Sequence, residues 1–236
     1  MLTVTSNPDK AVLKAQAAQE VAGLLVGPHA VLLLVSGGSA LELLTPEILP
    51  ENCEHLALGV LDERFSADLA INNFSQLAAT DFYKTATSHG AQILESIPED
   101  GETVAEFGKR LDEELALWCI RNPEGQVIIT QGIGPDGHTA GIFPYPEDPD
   151  FFESQFERPK MIVGYNAGVK NKFPERATTT ISFLKNKVAH SVVYVLGADK
   201  KEALTRVFAA VGSVPETPAR VIHEMKKVSV FTNYSA

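Results

Sequence analysis

Val127-Ile128-Ile129-Thr130-Gln131-Gly132-Ile133-Gly134-Pro135-Asp136-Gly137-His138-Thr139-Ala140-Gly141-Ile142-Phe143-Pro144 is the stretch from which the rest of the chain can be read. Its apolar opening, Val127 to Thr130, has the pattern of a strand buried on both faces. Gly132, Gly134, Pro135 and Gly137 then break any regular structure. The loop carries Asp136 and His138 two residues apart. Histidine titrates nearest neutral pH and is the usual general base. An acid beside it can fix its tautomer, provided the loop turns the two side chains toward each other. A glycine-rich turn with a histidine is also a common structural device, so the flanking sequence has to decide.

Working outward, the same grammar recurs. Leu2 to Thr5 reads as a short opening strand. Ser6-Asn7-Pro8 reads as a helix start, with Asn7 or Ser6 as cap and Pro8 in the first turn. Val12, Ala15, Ala18, Ala22 and Leu25 repeat at helical spacing until Gly27-Pro28. Ala30 to Val35 and Leu56 to Leu61 are continuous apolar runs, as doubly buried strands are. The first runs into Ser36-Gly37-Gly38-Ser39 and a helical stretch from Ala40 to about Leu44; the second ends in Asp62-Glu63-Arg64. Residues 74 to 83 read as a helix and Gln92 to Leu94 as a short strand. From 103 to 121, Val104, Phe107, Leu111, Leu115 and Trp118 mark one face of a long amphipathic helix. Residues 145 to 159, rich in Pro, Asp, Glu and Phe, read as a flap over the site. Met161 to Gly164, Ser191 to Leu196 and Val228 to Thr232 are further strands, and a helix runs from Lys200 to about Val211. This alternation predicts an α/β fold: a single Rossmann-like doubly wound domain over 1–236, with a mainly parallel sheet and helices on both faces.

Composition narrows the function. The chain has 236 residues and a formal net charge of −10, with no basic run, which disfavours nucleic acid and anionic membranes as partners. The longest apolar runs are far too short to span a bilayer, and the N-terminus lacks a signal-peptide core, so a cytoplasmic protein is expected. Cys53 and Cys119 have no metal-ligand spacing. There is no His-Glu-x-x-His and no Gly-x-Ser-x-Gly; neither metal, cofactor nor covalent nucleophile is expected.

Two further stretches bear on ligands. A strand, the Ser36–Ser39 turn and a helix can make an anion site, because glycines let backbone N–H groups approach and a helix N-terminus favours negative charge. The same residues also suit a plain tight turn. Asp62-Glu63-Arg64 sits where open α/β sheets bind ligands, or else holds an internal ion pair involving Arg64.

The segment Gly132-x-Gly134-x-Asp136-Gly137-His138-Thr139-Ala140-x-x-Phe143-Pro144 resembles the signature of the glucosamine-6-phosphate isomerase/6-phosphogluconolactonase family. The ending through Phe143-Pro144 sides with its lactonases, as does Arg64 where the deaminases typically carry Tyr. Asn72-Asn73 stands where the family often has Ser-Asn. Pro174-Glu175-Arg176-Ala177-Thr178 resembles its Pro-x-x-Arg-x-Thr segment, and Gly197-Ala198-Asp199-Lys200 its Gly-x-x-Lys. The likeness spans roughly residues 30 to 205. Three places depart from it: Ala40 replaces a usual hydroxyl residue, Phe65-Ser66 replaces Val-Pro, and Phe231–Ala236 lacks the Asp-x-Ala-Ala ending.

What the resemblance implies is hydrolysis of 6-phosphoglucono-δ-lactone to 6-phosphogluconate, a step of the oxidative pentose phosphate pathway. His138 would be the general acid/base, Asp136 its orienting partner, and Arg64 the group on the developing oxyanion or product carboxylate. Ser36, Gly37, Gly38, Ser39, Arg176 and Lys200 would hold phosphate, with Asp62, Asn73, Gly134 and Gly137 lining the site. Lys170 and Lys172 read as solvated, although they could raise the local potential. The partner is then a small phosphorylated sugar lactone, and the protein a monomer or small homo-oligomer. An amino-sugar phosphate isomerase/deaminase and a non-catalytic sugar-phosphate-binding protein are the competing readings.

Overall fold

The computed structural model describes residues 1–234, so the last two residues of the 231–236 ending lie outside it. Ten strands run in chain order as β1 (Leu2–Ser6), β2 (Val31–Val35), β3 (Leu56–Val60), β4 (Asp62–Arg64), β5 (Gln92–Ile93), β6 (Gln126–Gln131), β7 (Ile162–Asn166), β8 (Glu175–Thr179), β9 (Val188–Val195) and β10 (Val228–Thr232). The helices between them are α1 (Lys10–Leu24), α2 (Asn73–Ala78), α3 (Asp81–Ser88), α4 (Val104–Arg121), α5 (Pro149–Phe152), α6 (Ile181–Asn186) and α7 (Lys201–Phe208).

Seven strands form one sheet in the order β1-β10-β9-β6-β2-β3-β5, with every pairing parallel. The apolar run of β2 shows why it must be central. Val31, Leu33 and Val35 pack with Leu13, Ala17 and Val21 of α1 on one face. Leu32 and Leu34 pack with Leu115 and Trp118 of α4 on the other. A strand covered on both sides has no polar face to offer water. The doubly wound, mainly parallel architecture expected from the sequence is the one found.

From β2 the chain winds outward through β3 to β5, returns at β6 beside β2, and winds the other way through β9 to β10. The switch point therefore lies between β2 and β6, where open α/β sheets leave a crevice at the strands' carboxyl ends. The backbone N–H of Ser36 donates to both the carbonyl and the hydroxyl of Thr130, each at 3.2 Å. That contact ties the turn after β2 to the end of β6. β1 reaches the sheet through β10 alone, with Leu2 opposite Val228 and Ser6 opposite Thr232.

A second, antiparallel sheet β4-β8-β7 was not foreseen. Asp62-Glu63-Arg64 does more than end a parallel strand: the chain leaves the main sheet at Leu61 and pairs the triplet with β8, placing Asp62 opposite Thr178 and Arg64 opposite Arg176. Other departures are local. The α1 cap is Asp9, whose carboxylate accepts the N–H groups of Ala11 and Val12, while Asn7 instead accepts the N–H of Asp9; Pro8 thus precedes the cap. The helix read over 74–83 is two helices, because Thr80 is extended and its hydroxyl caps α3 by accepting the Tyr83 N–H. The stretch after Ser36 is a 3-10 helix, Gly38–Leu43, rather than an α-helix. α4 matches its expected span and opens on a capping box between Thr103 and Glu106.

The 145–159 stretch runs along the surface, with Pro146 to Asp150 and Glu157 to Pro159 exposed, but sends two aromatic side chains inward. Phe152 and Phe156 are fully buried, and Phe156 stacks edge-on to Tyr165 of β7 at 5.0 Å. Their aromatic mass anchors the segment to the core. Phe156→Ala is expected to cost about 3–5 kcal/mol of unfolding free energy, as for other buried aromatic truncations. Urea denaturation would check this; a cost below ~1 kcal/mol would show that the segment is not part of the core.

Candidate active site

The crevice at the switch point is a cleft of about 430 Å³, lined in part by Ser36 to Ser39, Asp62, Arg64, Asn73, Gly134, His138, Arg176 and Lys200. Eleven of the thirteen residues singled out in the sequence, all but Asp136 and Gly137, therefore share one cavity. Asp136 reaches it through His138, and the Gly137 carbonyl accepts the N–H of Ala219 behind the loop.

The loop after β6 turns Asp136 and His138 toward each other. An Asp136 oxygen lies 2.5 Å from His138 Nδ1 and accepts the His138 backbone N–H at 3.1 Å. An acid at Nδ1 places the ring proton there and leaves Nε2 with its lone pair; Nε2 has no partner among the described residues. Burial pushes the Asp136 carboxyl up, but the hydrogen bond and charge of His138 outweigh it, and the net direction is down. The ring of His138 leans on Phe143 at 4.8 Å. Gly134 makes the arrangement possible: a Cβ there would stand 2.1 Å from the imidazole.

Behind the loop a buried polar relay holds the backbone. Ser191 Oγ donates to Gln131 Oε1, Gln131 Nε2 donates to Thr139 Oγ1, and Thr139 Oγ1 donates to the Gly132 carbonyl, at 2.9, 2.6 and 2.7 Å. Ala140 (φ 50°) and Gly141 (φ 70°) then form a tight reversal closed by Thr139 and Ile142. The left-handed Ala140 is held by Thr178, whose hydroxyl donates to its carbonyl.

The two arginines of the cleft differ in kind. Arg176 is buried and paired with Asp62, Nη1 to Oδ2 at 2.8 Å. Arg64 has no carboxylate partner among the described residues; its Nη1 donates to the Ile71 carbonyl at 2.8 Å and its guanidinium lies over the Phe173 ring at 5.3 Å. The internal ion pair considered for Arg64 belongs instead to Arg176, whose charge is already balanced. Lys200 stands just before α7, with its ammonium 3.1 Å from Asp199. Lys172, read as solvated, also lines the cleft, as do Asn171 and Phe173. Its one visible signal is its place four residues before Arg176. Four cationic side chains thus face the cleft against one carboxylate, Asp62.

Gly38 adopts φ 68°, which lets the 3-10 turn begin immediately at the cleft. No side chain caps that turn. The first N–H groups of a helical turn have no acceptor within it, and Gly38 and Ser39 at the start of this one line the cavity. Asn73 closes the same wall: its amide donates to the Asp62 carbonyl at 2.8 Å, and its buried Oδ1 has no partner among the described residues. Among the described residues no three His, Cys, Asp or Glu side chains come close enough to hold a metal ion, and no helix is long and apolar enough to cross a membrane.

Residues 8–231 match the family described as glucosamine-6-phosphate isomerases/6-phosphogluconolactonase. The chain belongs to this family. Members similar to it are named 6-phosphogluconolactonase: one from Nostoc is 28% identical over 200 residues, 80% of this chain and 76% of that protein. The Homo sapiens protein of that name is 27% identical over 206 residues, 83% and 75% of the two chains. A Synechocystis protein so named is 36% identical over 99 residues, only 35% of its own length. The fold is that of the solved 6-phosphogluconolactonase from Shewanella baltica, with a TM-score of 0.75 at 20% identity, covering 98% of this chain and 97% of that one.

Glu63 is the unexpected group beside the cleft. It is 1% exposed, and desolvation pushes its carboxyl up to about 7 against the pull of backbone N–H groups from Phe74, Asn73 and Arg64. A folded-state value above the unfolded 4.5 means that the folded protein holds this proton more tightly. Its contribution to stability is therefore greatest below about pH 4.5 and declines until about pH 7. The decline amounts to about 3 kcal/mol. Denaturant melts of the wild type and Glu63→Gln across that window should differ by a slope of this sign; parallel profiles would contradict it.

Proposed function

We propose that this chain hydrolyses the lactone ring of a phosphorylated sugar acid, 6-phosphoglucono-δ-lactone, to 6-phosphogluconate. The observation that carries the reading is the Asp136–His138 contact at 2.5 Å in a cleft lined by cations. Membership of a family whose similar members bear the lactonase name supports it. The same reading assigns the reaction to the oxidative pentose phosphate pathway.

In this mechanism phosphate rests on the backbone N–H groups of Gly37, Gly38 and Ser39, with Ser36 beside them. Lys200 supplies charge, and Lys172 joins it. Arg176, already neutralised by Asp62, contributes donors rather than net charge. His138 Nε2 takes a proton from water as the oxygen attacks the lactone carbonyl. The ring oxygen leaves with that proton when the tetrahedral intermediate collapses. Arg64, lacking an acidic partner, offers its guanidinium to the developing oxyanion, where preorganised charge is worth most. A δ-lactone is already an activated ester, so acid–base chemistry and charge stabilisation are enough.

The test is hydrolysis of freshly generated 6-phosphoglucono-δ-lactone against its uncatalysed background. The wild type should accelerate it, and His138→Ala should lose on the order of 10²–10⁴ in kcat. A His138→Ala loss of only a few-fold would remove that residue as the base. Ammonia release from glucosamine 6-phosphate, with no lactone hydrolysis, would transfer the site to the isomerase branch. Asp136→Asn should fall between the two enzymes by favouring the wrong ring tautomer, and equal rates for Asp136→Asn and wild type would refute the orienting role.

A further inference from the structure

Glu63 is a buried carboxylate with no cation within salt-bridge distance among the described residues. Buried acids are normally paired, because an isolated ionised group is costly to desolvate. Glu63 meets that cost with donors alone. One oxygen accepts the backbone N–H groups of Arg64 and Asn73, both at 2.6 Å. The other accepts the Phe74 N–H at 2.7 Å and the Ser96 hydroxyl at 3.2 Å. An ionised carboxylate has about four lone-pair sites and no donor, and in that form of Glu63 all four are used. Glutamine has the same shape but would turn an NH₂ toward one of these donors.

The two donors on one oxygen come from separate elements. Arg64 ends β4, and Asn73 opens α2. Both side chains line the cleft; among the described residues the Arg64 guanidinium has no carboxylate partner and the buried Asn73 Oδ1 has no partner. Two cross-links reinforce the clasp: Asn72 Nδ2 donates to the Arg64 carbonyl at 3.0 Å, and Asn73 Nδ2 to the Asp62 carbonyl at 2.8 Å. Glu63 itself points away from the cavity into the protein.

We propose that Glu63 is a positioning residue of the site: its carboxylate clasps the start of α2 to β4 and so fixes where Arg64 and Asn73 present their side chains to the substrate. It touches no substrate and acts through Arg64 foremost. This inference rests on the lactonase reading for its catalytic consequence, and on the clasp alone for its structural one.

The experiment is a double-mutant cycle on lactone hydrolysis with wild type, Glu63→Gln, Arg64→Ala and the double variant, each checked for cooperative unfolding. Glu63→Gln should lower kcat about tenfold with KM within about twofold, one misplaced stabilising contact being worth roughly that much. In the Arg64→Ala background the same substitution should cost less than about twofold, since coupled residues are not additive. General loosening of the fold would instead add fully in both backgrounds, and that result overturns the proposal. Amide exchange in the same proteins supplies a second readout that needs no turnover. The Arg64 and Asn73 N–H groups should exchange slowly in the wild type and at least tenfold faster in Glu63→Gln; equal exchange also overturns the clasp. Should Glu63→Gln fail to fold, Ser96→Ala removes one of the four donors while keeping the carboxylate, and is expected to leave both the Arg64 and Asn73 amides and kcat near wild type. A tenfold loss of kcat there would place the effect on the Ser96 side and refute the assignment to Arg64 and Asn73. A wild type that does not hydrolyse the lactone removes the catalytic reading, while amide exchange still decides the clasp.

Discussion

The buried ion pair between Asp62 and Arg176 is the contact around which the site is assembled. Its partners come from β4 and β8, 114 residues apart, and meet at 2.8 Å with side chains only 7% exposed. Removing one member of such a pair strands a buried charge, whereas the intact pair adds little net stability. Its worth here is geometric. The Asp62 carbonyl accepts Asn73, the Arg176 guanidinium lies over Phe143 at 5.3 Å, and Asp62 packs so tightly on Gly141 that a Cβ there would meet it at 2.7 Å. The start of α2 and the loop after β6 are thus both indexed to one salt bridge.

Charge distribution follows from the same pairing. A chain of formal net charge −10 repels anions at long range. Salt screens that field within about 10 Å, whereas groups in a partly buried cleft act at short distance. Because Asp62 neutralises Arg176 and Asp199 lies 3.1 Å from the Lys200 ammonium, the local excess rests chiefly on Arg64 and Lys172, which flank the Phe173 ring at 5.3 and 5.1 Å. The arrangement suits an anionic ligand.

The parallel sheet was legible because its strands are apolar runs buried on both faces, and the two glycine-rich turns because only they combine backbone freedom with polar groups. Those signals are local. The second sheet was not legible, since β4 and β8 are short, carry charges and have no alternation to mark them. Which arginine is paired was likewise hidden: Arg64 adjoins two acids in sequence, yet the strand geometry gives Asp62 to Arg176. Glu63 read as one charge in a triplet, and nothing in the sequence shows that its partners are N–H groups. Thr80 ended a helix that apolar spacing alone would have continued. The aromatic residues at 152 and 156 looked like an exposed, Pro-rich stretch because composition does not show which rings turn inward.

The edge of the main sheet bears on how the protein is made. Among the described residues β1 pairs with β10 alone, so Leu2 meets Val228 across 226 positions of chain. At ribosomal speeds of about 5–20 residues per second, the first strand leaves the exit tunnel roughly 10–45 s before its partner exists. During that interval α1 can already dock on β2, while β1 trails as an unpaired strand. Closing so long a loop is slow but thermodynamically mild, since its entropy grows only logarithmically with length. In this sequence, the β1 edge of the sheet can therefore close only after nearly the whole chain has been made.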